Sequence, residues 1–469
     1  MSGTASHAPV PATLTADLFR TYDIRGPAEQ LMADHGGHWL GRAIAATARE
    51  AGADTMVVAR DGRLSGPAFA EQVIEGLRAG GIDVVDMGEA PTPLLWYGAW
   101  RLAGGSGVMV TASHNPAADN GLKIAINRHT LYGDEIAALH RRLETGLPAP
   151  APEPGHYRAT RIDGEYCHWL AQDIELPRPL HVVIDAGNGV AGPLAVRLFE
   201  ALGCRVTPLY CDVDGHFPNH HPDPSRPENM TTLRETVCAE GADLGIAFDG
   251  DGDRLGVVSA SGDMVWPDRI LGLFLGEVLG CAPGAAVVFD VKSTRQLFRG
   301  VRQYGGRPVM APSGHSVIKA RMAEENAVLG AEMTGHFFFA DRWYGFDDAL
   351  YAAARLAAVV ARTPGSNPFL ALAGGIATPE IHLPLPRAEA RALVADLAAH
   401  PFPEDWERVT VDGLRLDAPG GWALIRVSNT RDALVLRFEA DDEAALAALQ
   451  GPLREALTAA LPAGTALSF

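Results

Sequence analysis

The chain has 469 residues, 47% of them hydrophobic and 20% charged, with a formal net charge of −18. This is material for about three or four domains with buried cores, and no stretch approaches the ~18 apolar residues of a membrane span. The acidic balance argues against nucleic acid or an anionic membrane as a partner. Five cysteines without metal-ligand spacing point to reduced thiols in a cytoplasm.

Residues 1–16 read as a flexible tail, because no basic segment leads into an apolar one there. FRTYDIRG (19–26) follows with Arg20, Tyr22, Asp23 and Arg25, either an anion site or a structural ion pair. The segment MVVARDGRLSGPAFAEQVIEGLRAGGIDVVDMG then reads as strand, polar turn, helix and strand. The same layout recurs in HVVIDAGNGVAGPLAVRLFEALGCRVTPLY and in AVVFDVKSTRQLFRGVRQYGGRPVMAPSG. Each begins with a β-branched run ending near an Asp (Asp61, Asp185, Asp290), with a Gly at similar distance beyond (Gly81, Gly203, Gly305). The repetition predicts α/β layers. Near the end, WALIRVSNTRDALVLRFEA reads as two strands around a polar turn, and DDEAALAALQGPLREALTAAL as an amphipathic helix. The expected architecture is three similar mixed α/β domains, 17–154, 155–261 and 262–370, plus a smaller C-terminal α+β domain, 371–469. Segments 147–155, 259–263 and 362–368 read as linkers.

Four constellations carry chemistry. In FDGDGDR (248–254), between two apolar runs, alternation in an extended chain would put Asp249, Asp251 and Asp253 on one side. Three hard oxygen donors suit Mg²⁺; the alternatives are a solvated acidic turn or a calcium loop. In VMVTASHNP (108–116), Ser113 stands at the end of an apolar strand, as a nucleophile or phosphate carrier would. Taken alone, the same residues read as a hydroxyl-capped turn. Lys123, one of only three lysines with Lys292 and Lys319, follows closely and could neutralise an oxyanion there. In GAEMTGHFFF (330–339), alternation puts Glu332, Thr334 and His336 on one face of an extended segment, for sugar hydroxyls or merely as a strand edge. RVSNTRD (426–432) offers Arg426, Ser428, Asn429 and Thr430 as an anion nest or an ordinary hairpin turn. DAGNGVAG (185–192) lacks the full dinucleotide fingerprint and reads as a structural turn.

FRTYDIRG, TASHNP, DGDGDR, EMTGH and RVSNT, in this order, resemble the α-D-phosphohexomutase superfamily, in particular its bacterial phosphomannomutase/phosphoglucomutase branch. The resemblance covers nearly the whole chain after the tail. It implies four domains around a central cleft and interconversion of hexose 1-phosphate and hexose 6-phosphate, mannose and/or glucose. It further implies a phosphoserine at Ser113 and a hexose 1,6-bisphosphate as intermediate and activator. Mg²⁺ would be held by Asp249, Asp251, Asp253 and the Ser113 phosphate, with Arg254 stabilising that phosphate. Tyr22, Arg25, Lys123, Lys292 and His315 match cleft positions. Glu332 and Thr334, with His336 beside them, match the sugar-recognition loop, and Arg426, Ser428, Asn429 and Thr430 the clamp for the distal phosphate. His336 and Lys123 are the candidates for proton transfer, with Arg25 and His315 electrostatic. Ala331 and Thr334 replace a glycine and a serine of the usual loop, and Arg431-Asp432 replace a small residue and proline after the clamp. The expected partner is a small phosphosugar, and the expected assembly a monomer or weak homo-oligomer in the cytoplasm. Alternatives are a phosphoglucosamine mutase, a sugar bisphosphate synthase, a phosphatase, or a phosphosugar-binding protein without catalysis.

Overall fold

The computed structural model describes residues 11–363, 368–369, 375–428, 432–461, 467 and 469. The chain divides into two compact units, residues 1–267 with 334–367, and residues 268–333 with 368–469.

The first unit contains two sheets built on one plan. In the first, the strand Thr55–Arg60 lies between Asp83–Glu89 and Gly107–Val110, all parallel, and Asp119–Ile126 then runs antiparallel beside Gly107–Val110. In the second, His181–Asp185 lies between Arg205–Leu209 and Leu244–Phe248, all parallel, and Leu255–Ser259 returns antiparallel. Helices Gly66–Ala79 and Gly192–Ala201 make the crossovers that parallel strands require. Gly107–Val110 and Leu244–Phe248 are buried along their whole length, and Thr55–Arg60 and His181–Asp185 in all but end residues, as strands covered on both faces must be. The first core gathers Val58, Val73, Leu77, Val108 and Ile124. Leu14 joins it, so packing begins before residue 17.

The turn from the third parallel strand to its antiparallel neighbour is short because it closes a hairpin, not a crossover. In the first sheet this turn carries Ser113, and in the second it carries Asp249, Asp251 and Asp253. Two chemically unlike motifs therefore stand at the same place in two copies of one plan.

Residues 259–263, expected to be a linker, form the turn of the hairpin between Leu255–Ser259 and Met264–Val265. Gly262, at φ +82, supplies the left-handed residue that this turn needs. The helix Ala349–Arg362 packs on the second sheet and is capped by Asp348, which accepts from the Tyr351 N–H.

In the second unit, the strands Arg307–Ala311, Ala286–Asp290 and Leu329–Ala331 are parallel with Ala286–Asp290 in the middle, the same order of second, first and third strand. An antiparallel sheet follows, in which Gly421–Val427 pairs with Ala433–Ala440 across the expected hairpin. The helix Glu443–Ala460 begins at the Asp442 cap and packs its leucines into this sheet's core. Fully buried Arg415 donates to the carbonyls of Val291 and Ser293, tying the antiparallel sheet to the end of the Ala286–Asp290 strand.

Candidate functional site

In the first unit, Asp249, Asp251 and Asp253 are fully buried and offer oxygens within 4.8 Å of one another. Strand alternation is not the cause, contrary to the sequence reading. Residues 249–254 form a turn in which Asp249 Oδ1 accepts the N–H groups of Gly252, Asp253 and Arg254 at 3.1, 3.1 and 3.2 Å. Gly252 adopts φ +75, where a Cβ would strike Ala191. Burial first, then the Asp251 and Asp253 carboxylates, push the Asp249 carboxyl well above its usual range. Asp251 Oδ1 is buried with no hydrogen-bond partner among the described residues. Crowded carboxylates with an oxygen left over fit a divalent cation with oxygen ligands.

Lys123 reaches this cluster from the strand Asp119–Ile126. Its Nζ donates to Asp251 Oδ2 at 2.6 Å and also to Asp253 Oδ2. Burial alone would push its ammonium down, but the carboxylates of Asp251, Asp253 and Asp249 outweigh burial and hold it well above the ordinary lysine value. Thr92, at the start of the helix Thr92–Leu102, donates its hydroxyl to Asp251 Oδ2 at 2.6 Å. Ser113 Oγ donates to Asp249 Oδ2 at 2.6 Å, which places the expected phosphate carrier against the expected metal site. His114 Nδ1 lies 3.2 Å from Ser113 Oγ. Burial, then the cations of Arg254, Arg25 and Lys123, push that imidazole well below its ordinary value, so it stays neutral. Arg25 donates to Asn115 Oδ1 at 3.0 Å and pairs with Asp23. Arg254 Nε stands 3.9 Å from Asp249 Oδ2. Tyr22 is half-buried just ahead of the strand Ile24–Pro27.

Thr334 and His336 also belong to the first unit. His336 Nε2 lies 3.2 Å from Asp253 Oδ1, and its Nδ1 lies 3.0 Å from Thr334 Oγ1. The segment 332–336 is a turn, not the extended run expected, so alternation places nothing on a common face. Gly335 explains why: it adopts φ +102, with a Cβ position 2.9 Å from the Leu255 carbonyl oxygen. Asp347 adds a carboxylate to the Asp253 and His336 pair, a residue not among the candidates read from the sequence.

The second unit gathers a different assembly. Lys292 Nζ lies 3.2 Å from Glu380 Oε1 and 3.8 Å from Asp290 Oδ2. Burial would lower the Lys292 ammonium, but Glu380, Asp290 and Glu332 raise it on balance. Arg426 Nε donates to Asp412 Oδ2 at 3.0 Å, and the Ser313 N–H donates to the same oxygen at 3.1 Å. His315, buried, begins the helix His315–Glu325 two residues beyond Ser313. Ser428 is buried at the end of the Gly421–Val427 strand, its N–H bonded to the Ala433 carbonyl. Asn429 and Thr430 lie outside the described residues. Glu380 and Asp412 were not singled out by the sequence reading, because each stands among unremarkable neighbours and finds its cation only through the fold.

Comparison with known proteins accounts for nearly the whole chain. Residues 16–146, 165–262 and 266–373 match the Phosphoglucomutase/phosphomannomutase alpha/beta/alpha domains I, II and III, and residues 380–456 match the C-terminal domain of the same family. A Phosphomannomutase/phosphoglucomutase of Pseudomonas aeruginosa is 46% identical over 449 residues, 95% of this chain and 96% of that protein. A Phosphoglucomutase of Neisseria gonorrhoeae is 44% identical over 442 residues, 94% of this chain and 96% of that one. The crystal structure of a Phosphoglucomutase/phosphomannomutase family protein from Burkholderia thailandensis superposes with a TM-score of 0.91 at 45% identity, covering 97% of this chain and all of that one.

Proposed function

Since the chain belongs to the phosphoglucomutase/phosphomannomutase family, we propose that it interconverts hexose 1-phosphate and hexose 6-phosphate, of glucose and/or mannose, with Ser113 carrying the phosphoryl group. The observation that supports this most directly is the 2.6 Å contact of Ser113 Oγ with Asp249 Oδ2, at the buried triad. Asp249, Asp251 and Asp253, with an oxygen on Ser113, would hold Mg²⁺, which when bound withdraws charge from a phosphoryl group in transit.

The residues of the first unit handle that phosphoryl group. Ser113 presents its oxygen, and Lys123 and Arg254 supply positive charge beside it. A free sugar hydroxyl attacks the phosphorus of phosphorylated Ser113; the P–O bond to sugar forms, the bond to serine breaks, and the hydroxyl proton leaves. Lys123 already donates to two carboxylates, so proton transfer falls to His336. The product is a hexose 1,6-bisphosphate, whose other phosphate then returns to Ser113. The residues of the second unit, Lys292, His315, Arg426 and Ser428, bind the phosphate that is not in transit, and Glu332 accepts from sugar hydroxyls. The five cysteines are free thiols, in keeping with a cytoplasmic site of action.

The test is a coupled assay with glucose 1-phosphate and mannose 1-phosphate, primed by the bisphosphate, with peptide mass analysis of Ser113. Ser113→Ala is expected to lose turnover by about 10⁴-fold or more while still binding sugar phosphate. Free phosphate as the main product, or turnover retained in the variant, would sink this reading.

A further inference from the structure

We propose that Arg63, with Asp61 and Thr111, is the positioning device that fixes Ser113 in the conformation from which it reacts. The inference rests on the reading of Ser113 as phosphoryl carrier.

Arg63 is 1% exposed. A guanidinium has five N–H donors in a planar fork, and here all five directions are taken. Nε donates to Asp61 Oδ2 at 2.9 Å. Nη1 donates to the carbonyls of Pro116 and Asp119 at 2.5 and 2.9 Å. Nη2 donates to the carbonyls of Ser113 and Asn115 at 2.7 and 2.8 Å. Four carbonyls of the seven-residue stretch 113–119 thus point at one buried cation. Without it these carbonyls would repel one another and each would lose a buried donor, although Pro116's would keep the Asp119 N–H, so the loop would not hold this shape.

The loop is also strained at the residue that matters. Ser113 adopts φ +53, left-handed backbone that costs an L-residue about 1–2 kcal/mol. That conformation is locked from both sides. The Ser113 carbonyl goes to Arg63, and the Ser113 N–H goes to Thr111 Oγ1 at 2.8 Å. Thr111 Oγ1 in turn donates to Asp61 Oδ2 at 2.7 Å, the oxygen that also receives Arg63 Nε. The Arg63 N–H closes the ring on Asp61 Oδ1 at 3.1 Å. With both ends of its backbone fixed, Ser113 delivers Oγ to Asp249. Gly250 completes the fit, because a Cβ there would meet the Ser113 carbonyl oxygen at 2.4 Å. A lysine cannot reproduce this, having three donors and no planar fork.

The experiment compares Arg63→Lys and Thr111→Val with the wild-type chain. Both are expected to melt cooperatively and to bind glucose 1-phosphate within about threefold of wild type, since neither residue is among those proposed to hold the sugar phosphate. Turnover should fall by about 100-fold in Arg63→Lys and about 10-fold in Thr111→Val, the scale expected for displacing a reacting atom by about an ångström. Phosphorylation of Ser113 by hexose 1,6-bisphosphate, followed by peptide mass, should slow by the same factors. Guanidinium ion should restore part of the turnover lost in Arg63→Ala. Folded Arg63→Lys with kcat within threefold of wild type would overturn the inference, as would a loss of kcat matched by an equal loss of binding. Should Arg63→Lys fail to fold, Thr111→Val decides, and unchanged kcat there overturns it. A wild-type chain without mutase turnover sinks the functional reading instead.

Discussion

The two charged assemblies are put together in opposite ways. The one around Ser113 draws its three carboxylates from five consecutive residues of one turn, held by backbone N–H groups. The one around Lys292 and Arg426 draws Asp290, Ser313, Glu332, Glu380 and Asp412 from separate segments spread over more than a hundred residues. The first is stiff, because strain, hydrogen bonds inside the 249–254 turn and the Ser113–Asp249 bond between two short loops fix it. The second depends on the packing of a parallel sheet against an antiparallel one, through Arg415 and the Arg437 bond to the Lys292 carbonyl. A compact assembly concentrates function in single residues, whereas a dispersed one shares it.

The sharpest way to break this comparison is Lys123→Met. Lys123 is the cation bridging Asp251 and Asp253. Its loss is expected to lower kcat by about 10²–10³-fold, the range for removing one preorganised donor from a charge-developing site. Removing a positive charge from the carboxylate cluster should also tighten divalent-cation binding, read by titration with Mn²⁺. Unchanged turnover would show that the compact assembly does not concentrate its function in this lysine.

The dispersed assembly predicts a milder outcome. Asp412→Ala removes the acceptor shared by Arg426 and the Ser313 N–H. Because other residues still carry the binding, KM for glucose 1-phosphate should rise about 5–10-fold, or roughly 1 kcal/mol, with kcat nearly constant. A fall in kcat as large as that of Lys123→Met would erase the distinction between the two regions.

The same contrast decides what was legible in the sequence. DGDGDR and TASHNP could be read because each packs its chemistry into a few consecutive residues, although their partners across the site are distant in the chain. The threefold strand–turn–helix–strand plan was readable from Asp61, Asp185 and Asp290, and all three are buried at strand ends. Each nonetheless meets a different basic side chain, Arg63, His220 or Lys292, which spacing from the Asp does not encode for His220. Alternation misled twice, at 249–253 and at 332–336, because glycines with positive φ turned runs expected to be extended into tight turns. Glu380 and Asp412 lacked any local signal, since their roles arise from tertiary packing alone. Arg63 did have one: it follows Asp61 by two residues, but only the fold shows that its other donors reach the Ser113 loop.

The smallest effect on activity is expected at Asp348, which touches neither assembly through the bonds it makes. Its Oδ1 accepts from the Tyr351 N–H and the Tyr166 hydroxyl, and its Oδ2 from Trp343 Nε1 at 3.0 Å. Burial pushes its carboxyl up to about 7, only partly offset by the hydrogen bonds from Tyr351, Tyr166 and Trp343. Between about pH 4 and pH 7 the folded chain therefore keeps a proton that the unfolded chain has released. The unfolded state binding fewer protons, this group makes stability fall as pH rises through that window and level off above it. Each unit of displacement is worth about 1.4 kcal/mol. Asp348→Asn stays neutral throughout, so its stability curve should be flatter between pH 4 and pH 7. Its amide would also set an N–H against a donor now facing a carboxylate oxygen, a pH-independent cost of about 1–3 kcal/mol. Denaturant midpoints at several pH values separate the two, one as slope and the other as offset. kcat should stay within about twofold, because Asp348 bonds to Tyr351, Tyr166 and Trp343 and to none of the reacting groups. An unaltered slope would mean that Asp348 is ionised in the fold, and a large loss of kcat would extend the compact assembly to the cap of the helix Ala349–Arg362.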